Sequence, residues 1–209
     1  MTTLEIETPV AEDELQPSID TLLQRVRASV VQVRNRARGV GAGVVWQING
    51  AVLTNHHVVA GERGPIEILL TDGRSYEAHV VASNADLDLA LLEVQQVGPG
   101  ALPLVAVGDS TSLRVGELVF AIGHPWGQRD VVTAGIISGT GRVNIPGYAE
   151  PVPYVLSDVL LRPGNSGGPL VNANGGVIGI NAMIRGGDLS VAIPSHMVIR
   201  WITALERIL

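Results

Sequence analysis

Short apolar segments follow one another along most of this 209-residue chain, and turn signals separate them. The segments are rich in Val, Ile and Leu, as β-strands are, and pairs such as Asn49-Gly50 and Asp72-Gly73 lie between them. Because no long helix separates the segments, they favour antiparallel barrels or a sandwich over a parallel sheet. Twelve strands are predicted, at residues 29–34, 43–48, 51–54, 65–70, 75–82, 88–94, 117–122, 130–139, 153–157, 169–172, 176–182 and 189–193.

The two ends of the chain differ from this pattern. Residues 1–17 are acidic and have no strong periodicity, which predicts a flexible tail. Ser18 can cap a short helix, and Ser195 can cap a C-terminal helix. The remainder, 18–209, is expected to be one domain, with a first barrel at about 29–97, a linker at about 98–112, a second barrel at about 113–194 and a helix at 195–209.

Composition excludes several chemistries. The chain has no Cys, and all 14 of its basic residues are Arg. Disulfides, thiolate nucleophiles, Cys-ligated metals, Schiff bases and Ser–Lys dyads are therefore ruled out. We expect no metal and no cofactor.

Charge and hydropathy limit the partners and the location. A net charge of -6 argues against nucleic acid, and no apolar run approaches the roughly 18–20 residues of a membrane span. Residues 1–20 carry only acidic charges, unlike a secretory leader, which predicts a cytoplasmic protein.

Three motifs supply the parts of a nucleophilic site. Thr54-Asn55-His56-His57 offers an imidazole, Asp86-Leu87-Asp88 a carboxylate, and Gly164-Asn165-Ser166-Gly167 a hydroxyl. A Ser hydroxyl attacks a carbonyl only when an imidazole takes its proton, and a carboxylate then orients that imidazole. The spacing alone does not decide between the two adjacent histidines.

The glycines around Ser166 predict an oxyanion hole. A tight turn over Gly164, Asn165 and Ser166 can direct the N–H groups of Gly164 and Ser166 at one point. The same residues match the G-x-S-x-G elbow of α/β-hydrolases, with Asp188 and His196 following in the required order. That alternative fails because strands follow Ser166 and too few residues remain for such a fold.

The order His, Asp, Ser matches chymotrypsin-like enzymes, and the chain resembles the protease domain of the HtrA/Deg family of trypsin-like serine proteases. The resemblance runs from about residue 23 to the C-terminus. Matching stretches include residues 39–44, 53–58, 107–110, 122–127, 132–138, 163–170, 179–181 and 192–195.

This resemblance implies the fold and the catalytic residues. The family pattern Thr-Asn-x-His-Val makes His57 the base, and Asp-Leu-Ala-Leu makes Asp88, not Asp86, the acid. The implied fold is all-β, with two antiparallel barrels that place His57 and Asp88 opposite Ser166 across a cleft.

The resemblance also indicates the substrate pocket. Its base lies about six residues before the nucleophile, at Leu160 beside Leu161. Residues Ile180 to Ile184, with Ile180, Asn181 and Ala182 assigned to the pocket, are expected to form a wall and an edge for the substrate backbone. An apolar base predicts cleavage after small or medium aliphatic residues.

The implied function is a serine endopeptidase that acts on unfolded or flexible polypeptides in protein quality control. The alternative is a latent or non-catalytic scaffold that binds peptides. The chain is expected to lack the PDZ domains common in the family. A homotrimer is a further expectation from the family, although residues 1–40 contain no Phe, Trp or Tyr.

Overall fold

The structure is a computed structural model that describes residues 12–35, 39–46, 50–62, 64–98, 102–185 and 188–207. Its helices are α1 (Glu12–Ala28), α2 (His56–Val59) and α3 (Ser195–Glu206), with a 3-10 turn at Pro125–Gly127. Its strands are β1 (Val30–Asn35), β2 (Gly39–Val45), β3 (Ala51–Thr54), β4 (Ile66–Leu70), β5 (Ser75–Asn84), β6 (Leu89–Val94), β7 (Leu118–Gly123), β8 (Val131–Val143), β9 (Val152–Ser157), β10 (Pro169–Asn172), β11 (Val177–Arg185) and β12 (Leu189–Pro194).

The first six strands close into one antiparallel barrel in the order β1-β2-β3-β6-β5-β4. Closure leaves no unpaired strand edge around the barrel. Its interior is filled by aliphatic side chains such as Val33, Ile68 and Leu92, all fully buried. β3 and β6 are adjacent, so the ends of these strands bring the segments that carry His57 and Asp88 together.

The last six strands close into a second barrel in the order β10-β11-β12-β9-β8-β7. Ile137, Leu170 and Ile178 fill its interior. Ser166 lies just before β10, and β10 pairs with β11 from Pro169 to Val171. The nucleophile loop is therefore held at one end of this barrel.

A third apolar cluster joins the two barrels. It combines Val44 and Leu53 of the first barrel with Phe120 and Ile180 of the second. Buried residues of α1 and α3, among them Val26, Val198 and Ile202, extend the same cluster. Burying these apolar side chains stabilises the packing of the barrels against each other, which fixes the cleft between them.

The predicted fold class is confirmed, because two six-stranded antiparallel barrels with short terminal helices are present. Each predicted strand has a counterpart, although β2 begins at Gly39 and not at residue 43. α1 begins at Glu12, six residues before Ser18, and continues through Pro17. The first eleven residues of the predicted tail lie outside the described residues.

None of the helices in the described ranges is long and apolar enough to cross a membrane.

Candidate active site

His57 and Asp88 form a two-point contact in the first barrel. The Nδ1 atom of His57 is 2.7 Å from Oδ2 of Asp88, and the backbone N–H of His57 donates to Oδ1 at 2.9 Å. Both carboxylate oxygens are thus used, and the ring is fixed in orientation. With a carboxylate as its partner, Nδ1 carries the proton, which leaves Nε2 as a proton acceptor.

Asp88 has an unusual backbone conformation, with a φ of 55° in the left-handed region. Such a conformation is uncommon for a residue other than Gly and must be held by its surroundings. The side-chain amide of the buried Asn55 donates to the carbonyl oxygen of Asp88 at 2.9 Å. The side-chain oxygen Oδ1 of Asn84 accepts the N–H of Leu87 at 2.9 Å in the same turn. Asn55 lies within the first motif, but sequence reasoning assigned it no role.

The backbone of Ser166 is clamped between the barrels. Its carbonyl oxygen accepts the N–H of Ala42 at 2.8 Å, and Gly167 donates to Asn181 at 2.9 Å. Gly167 has a φ of 84°, and a Cβ atom there would collide with the carbonyl oxygen of Ala42 and with Oγ1 of Thr54. Only Gly fits this position, which explains the Gly that follows Ser166.

The Ser166 hydroxyl donates to the carbonyl oxygen of Ala182 at 3.2 Å. Across the described residues, no hydrogen bond joins His57 to Ser166. Both residues nevertheless line one cavity of ≈ 440 Å³ between the barrels. The arrangement holds the base and the hydroxyl in one cleft, with the hydroxyl turned to Ala182.

A sharp turn precedes Ser166. Gly164 has a φ of 105°, and its carbonyl oxygen accepts the N–H of His124 at 3.1 Å. The carbonyl oxygen of Pro163 accepts the N–H of Trp126 at 3.0 Å. Because the carbonyl and N–H of one trans peptide point in opposite directions, the N–H of Gly164 is turned away from Trp126.

The N–H groups of this turn differ in availability. Within the described part of the chain, those of Gly164 and Ser166 have no acceptor. The N–H of Asn165 instead donates to the carbonyl oxygen of Arg162 at 2.9 Å. Among the described residues, the N–H of Asn165 is therefore already bonded, and those of Gly164 and Ser166 are the two N–H groups of the predicted oxyanion turn that have no acceptor.

The cavity is lined by part of the predicted pocket. Leu161, Ala182, Met183 and Ile184 line the cavity, together with Val40. Leu160 does not line it, because it is 55% exposed on the outer face of the segment, whereas Leu161 is only 5% exposed. Successive residues of an extended segment point to opposite sides, so only one of the two leucines can face inward.

Ile180 and Asn181 also lie outside the cavity lining. Ile180 is fully buried in the cluster between the barrels. The side-chain amide of Asn181 donates to the carbonyl oxygen of Pro169 at 2.8 Å and holds β11 against β10. Both residues therefore pack behind the part of β11 that lines the cavity and do not contact the cavity themselves.

Four other polar residues have structural partners. His56 lies 2.6 Å from the hydroxyl of Ser83 through Nδ1, and Asp158 accepts the N–H of Ile136 at 2.6 Å. His196 contacts the hydroxyl of Ser110 at 2.8 Å. The buried His124 accepts the N–H of Asp130 at 3.2 Å, and burial lowers its pKa.

The two closed antiparallel barrels and the cleft between them define a domain of the trypsin-like peptidase class. A family model described as trypsin-like peptidase domain matches residues 41–180. The chain belongs to this family and, within it, to the HtrA/Deg proteases.

Three known proteins illustrate the similarity. A probable periplasmic serine endoprotease DegP-like of Ectopseudomonas mendocina is 43% identical over 172 residues, which cover 80% of this chain and 35% of the relative. The periplasmic pH-dependent serine endoprotease DegQ of Escherichia coli is 34% identical, with 90% of this chain and 48% of the relative covered. The crystal structure of a serine endoprotease from Yersinia pestis has a TM-score of 0.79 and 31% identity, with 97% of this chain and 68% of that chain covered. The chain thus spans about a third to a half of the length of these curated relatives.

The prediction of a cytoplasmic protein is wrong, because these curated relatives are named as periplasmic. The prediction rested on the acidic charges of residues 1–20. The charge of that segment describes those residues alone and does not determine the compartment.

Proposed function

We propose that the chain hydrolyses peptide bonds with Ser166 as nucleophile, His57 as general base and Asp88 as the residue that orients His57. The observation that carries this proposal is the 2.7 Å contact between His57 Nδ1 and Asp88 Oδ2, together with the cavity that both His57 and Ser166 line. This contact sets the tautomer that catalysis requires, with Nε2 ready to accept a proton.

The proposed reaction begins with rotation of the Ser166 hydroxyl from Ala182 toward Nε2 of His57. His57 takes the proton as the Ser166 oxygen attacks the substrate carbonyl. The resulting oxyanion accepts hydrogen bonds from the N–H groups of Gly164 and Ser166. His57 then gives the proton to the leaving amine. A water molecule, activated by the same imidazole, hydrolyses the acyl-enzyme.

The proposed substrate is an extended polypeptide. Pairing of β11 with β10 ends at Ile180, and the backbone of Asn181 is still bonded to Gly167 and Gly168, so residues from Ala182 onward present a strand edge at the cavity. A substrate strand can bind such an edge through its backbone, which requires an unfolded or flexible segment. Leu161, Ala182 and Met183 supply an apolar surface for the side chain that precedes the scissile bond.

We further propose a periplasmic location, in line with the names of the relatives, and a role in protein quality control. A homotrimer is also proposed. Trp126 supports self-association, because its side chain is 73% exposed and large exposed aromatic groups are typical of interfaces. Light scattering after size-exclusion chromatography tests the trimer, which a species of about one chain's mass would contradict.

A latent scaffold is the second candidate function. The observation that favours it is the hydrogen bond from Ser166 to Ala182, which directs the hydroxyl away from His57. A resting enzyme and a permanently inactive one share this contact, and only turnover distinguishes them.

Digestion of a denatured model protein tests the proposal, with Ser166→Ala and His57→Ala as matched variants. We expect peptides from the wild type and none above background from either variant. If all three proteins leave the substrate intact but retain affinity for it, the scaffold function holds instead.

A further inference from the structure

Gln32 is a buried polar residue that the proposed mechanism does not use. It lies in β1 of the first barrel, and its side chain is 0% exposed. Its amide nitrogen donates to the carbonyl oxygen of Gly127 at 3.1 Å, across 95 residues of sequence. Its amide oxygen accepts the Nε–H of Arg34 at 2.6 Å, so the orientation of the amide is defined.

The segment that Gln32 holds has a strained backbone. Trp126 has a φ of 51° and Gly127 a φ of 79°, so two successive residues occupy the left-handed region. A bulky aromatic residue rarely adopts this conformation, and surrounding contacts must maintain it. The N–H of Gly127 binds the carbonyl of His124 at 3.0 Å, while Gln32 holds the opposite side of that residue.

The same turn controls the oxyanion donors. The N–H of Trp126 binds the carbonyl oxygen of Pro163, and this contact turns the N–H of Gly164 the other way. If Pro163 lost this partner, its peptide would be able to rotate and withdraw the Gly164 donor. Two hydrogen bonds therefore connect Gln32 to the donor. One joins Gln32 to Gly127, and the other joins its chain neighbour Trp126 to Pro163, whose peptide carries the N–H of Gly164.

We infer that Gln32 is a positioning residue for the oxyanion hole, through which the first barrel sets the donor geometry of the second. The inference rests on the proposed function. Gln32 touches no reacting atom and acts only through the position of the Gly164 donor. Its loss therefore weakens stabilisation of the tetrahedral intermediate but leaves the substrate-binding edge of β11 in place.

The test compares Gln32→Met and Gln32→Glu with wild type, and Gln95→Met is the matched control. Met removes both hydrogen bonds at similar volume. Glu keeps an acceptor for Arg34, replaces the donor to Gly127 by a carboxylate oxygen, and adds a negative charge. Gln95 is a Gln of the same barrel, whose side chain approaches the exposed Glu93 at 3.5 Å.

Two readouts separate positioning from general damage. A fluorogenic peptide gives kcat and KM, and a peptidyl boronate reports the oxyanion hole because its adduct with Ser166 is tetrahedral. We expect both Gln32 variants to lose about tenfold or more in kcat and in boronate affinity, with KM within about twofold. The Gln95 variant should match wild type, and thermal unfolding checks that each protein is folded.

Each outcome decides the inference. Folded Gln32 variants that keep wild-type kcat and boronate affinity overturn the inference. A loss in kcat/KM that comes entirely from a rise in KM also overturns it. If Gln32→Met does not fold, Gln32→Glu decides in the same way, and failure of both to fold assigns Gln32 to stability and overturns the positioning role. A wild type without Ser166-dependent turnover contradicts the proposed function instead.

Discussion

The hydroxyl of Ser166 donates its hydrogen bond to the carbonyl oxygen of Ala182, 3.2 Å away, and not to His57. Ala182 belongs to the strand edge at which we propose that the substrate binds. A substrate N–H that bound this carbonyl would compete with the hydroxyl and release it toward His57. Substrate binding and activation of the nucleophile would then be coupled through a single backbone oxygen.

Asp88→Asn tests the orientation of His57. The amide nitrogen of Asn cannot accept from Nδ1, so the ring is driven to the opposite tautomer and Nε2 loses its ability to take a proton. We expect kcat to fall by about 10⁴-fold with little change in fold. Steady-state kinetics on a fluorogenic peptide measure the loss. A fall of less than tenfold would show that Asp88 does not orient the base.

Leu161→Ala and Leu160→Ala test the pocket as a matched pair. Leu161 faces the cavity and Leu160 faces outward. Truncation of Leu161 enlarges the pocket, so the preference should move from small or medium aliphatic residues toward larger ones, by about tenfold in relative kcat/KM. Mass-spectrometric cleavage profiles measure the shift. Equal profiles for the two variants would place the pocket elsewhere.

His124→Asn tests a pH dependence of stability. Burial is the main cause that lowers the pKa of His124 below its ordinary value of 6.5; the nearby Arg129 lowers it further, and Asp130 opposes the shift. Above pH 6.5 the imidazole of His124 is neutral in both the folded and the unfolded state. As the pH falls below 6.5, the unfolded state binds the proton first, and stability decreases by up to ~1.4 kcal/mol per pH unit until the folded pKa is reached.

Urea unfolding at pH 7.5 and pH 5.5 measures this effect. The wild type should lose more stability between the two values than His124→Asn does, and His196, whose pKa burial also lowers, contributes equally to both proteins. An identical loss in the two proteins would exclude His124 as a source of acid sensitivity.

Gly167→Ala tests the contact between the nucleophile loop and the first barrel. The new Cβ meets the carbonyl oxygen of Ala42 in a left-handed backbone, so we expect a loss of about 2–5 kcal/mol and of activity. Gly61→Ala is the control, because Gly61 has a φ of 83° but open space around its Cα, and it should lose only about 1–2 kcal/mol. Similar losses in both variants would show that only the backbone conformation matters.

The sequence predicted the barrels well because their strands are short, apolar and separated by turns. β2 began earlier than predicted because Gly39 and Gly41 give no strand signal, and only pairing with β1 makes that segment extended. α1 was predicted to begin at a Ser18 cap, but the helix extends back to Glu12 and contains Pro17.

The finer parts of the site depend on contacts that a sequence does not display. Leu160 and Leu161 are the same residue type, and only the path of the loop decides which one faces the cavity. The sequence does not show that the N–H of Asn165, between the two predicted donors, bonds to the carbonyl oxygen of Arg162. Gln32 lies in an ordinary strand pattern, and its partner is 95 residues away.

Reaction with a fluorophosphonate, followed by peptide mapping of the intact and Ser166→Ala proteins, tests the central claim most directly. The reagent modifies a serine only when a base activates it and an oxyanion hole receives the phosphonyl oxygen. We predict one modified residue, Ser166, in the wild type and none in the variant. An unmodified wild type in the presence of peptide substrate, or equal modification of both proteins at another residue, would contradict the proposed catalytic role of Ser166.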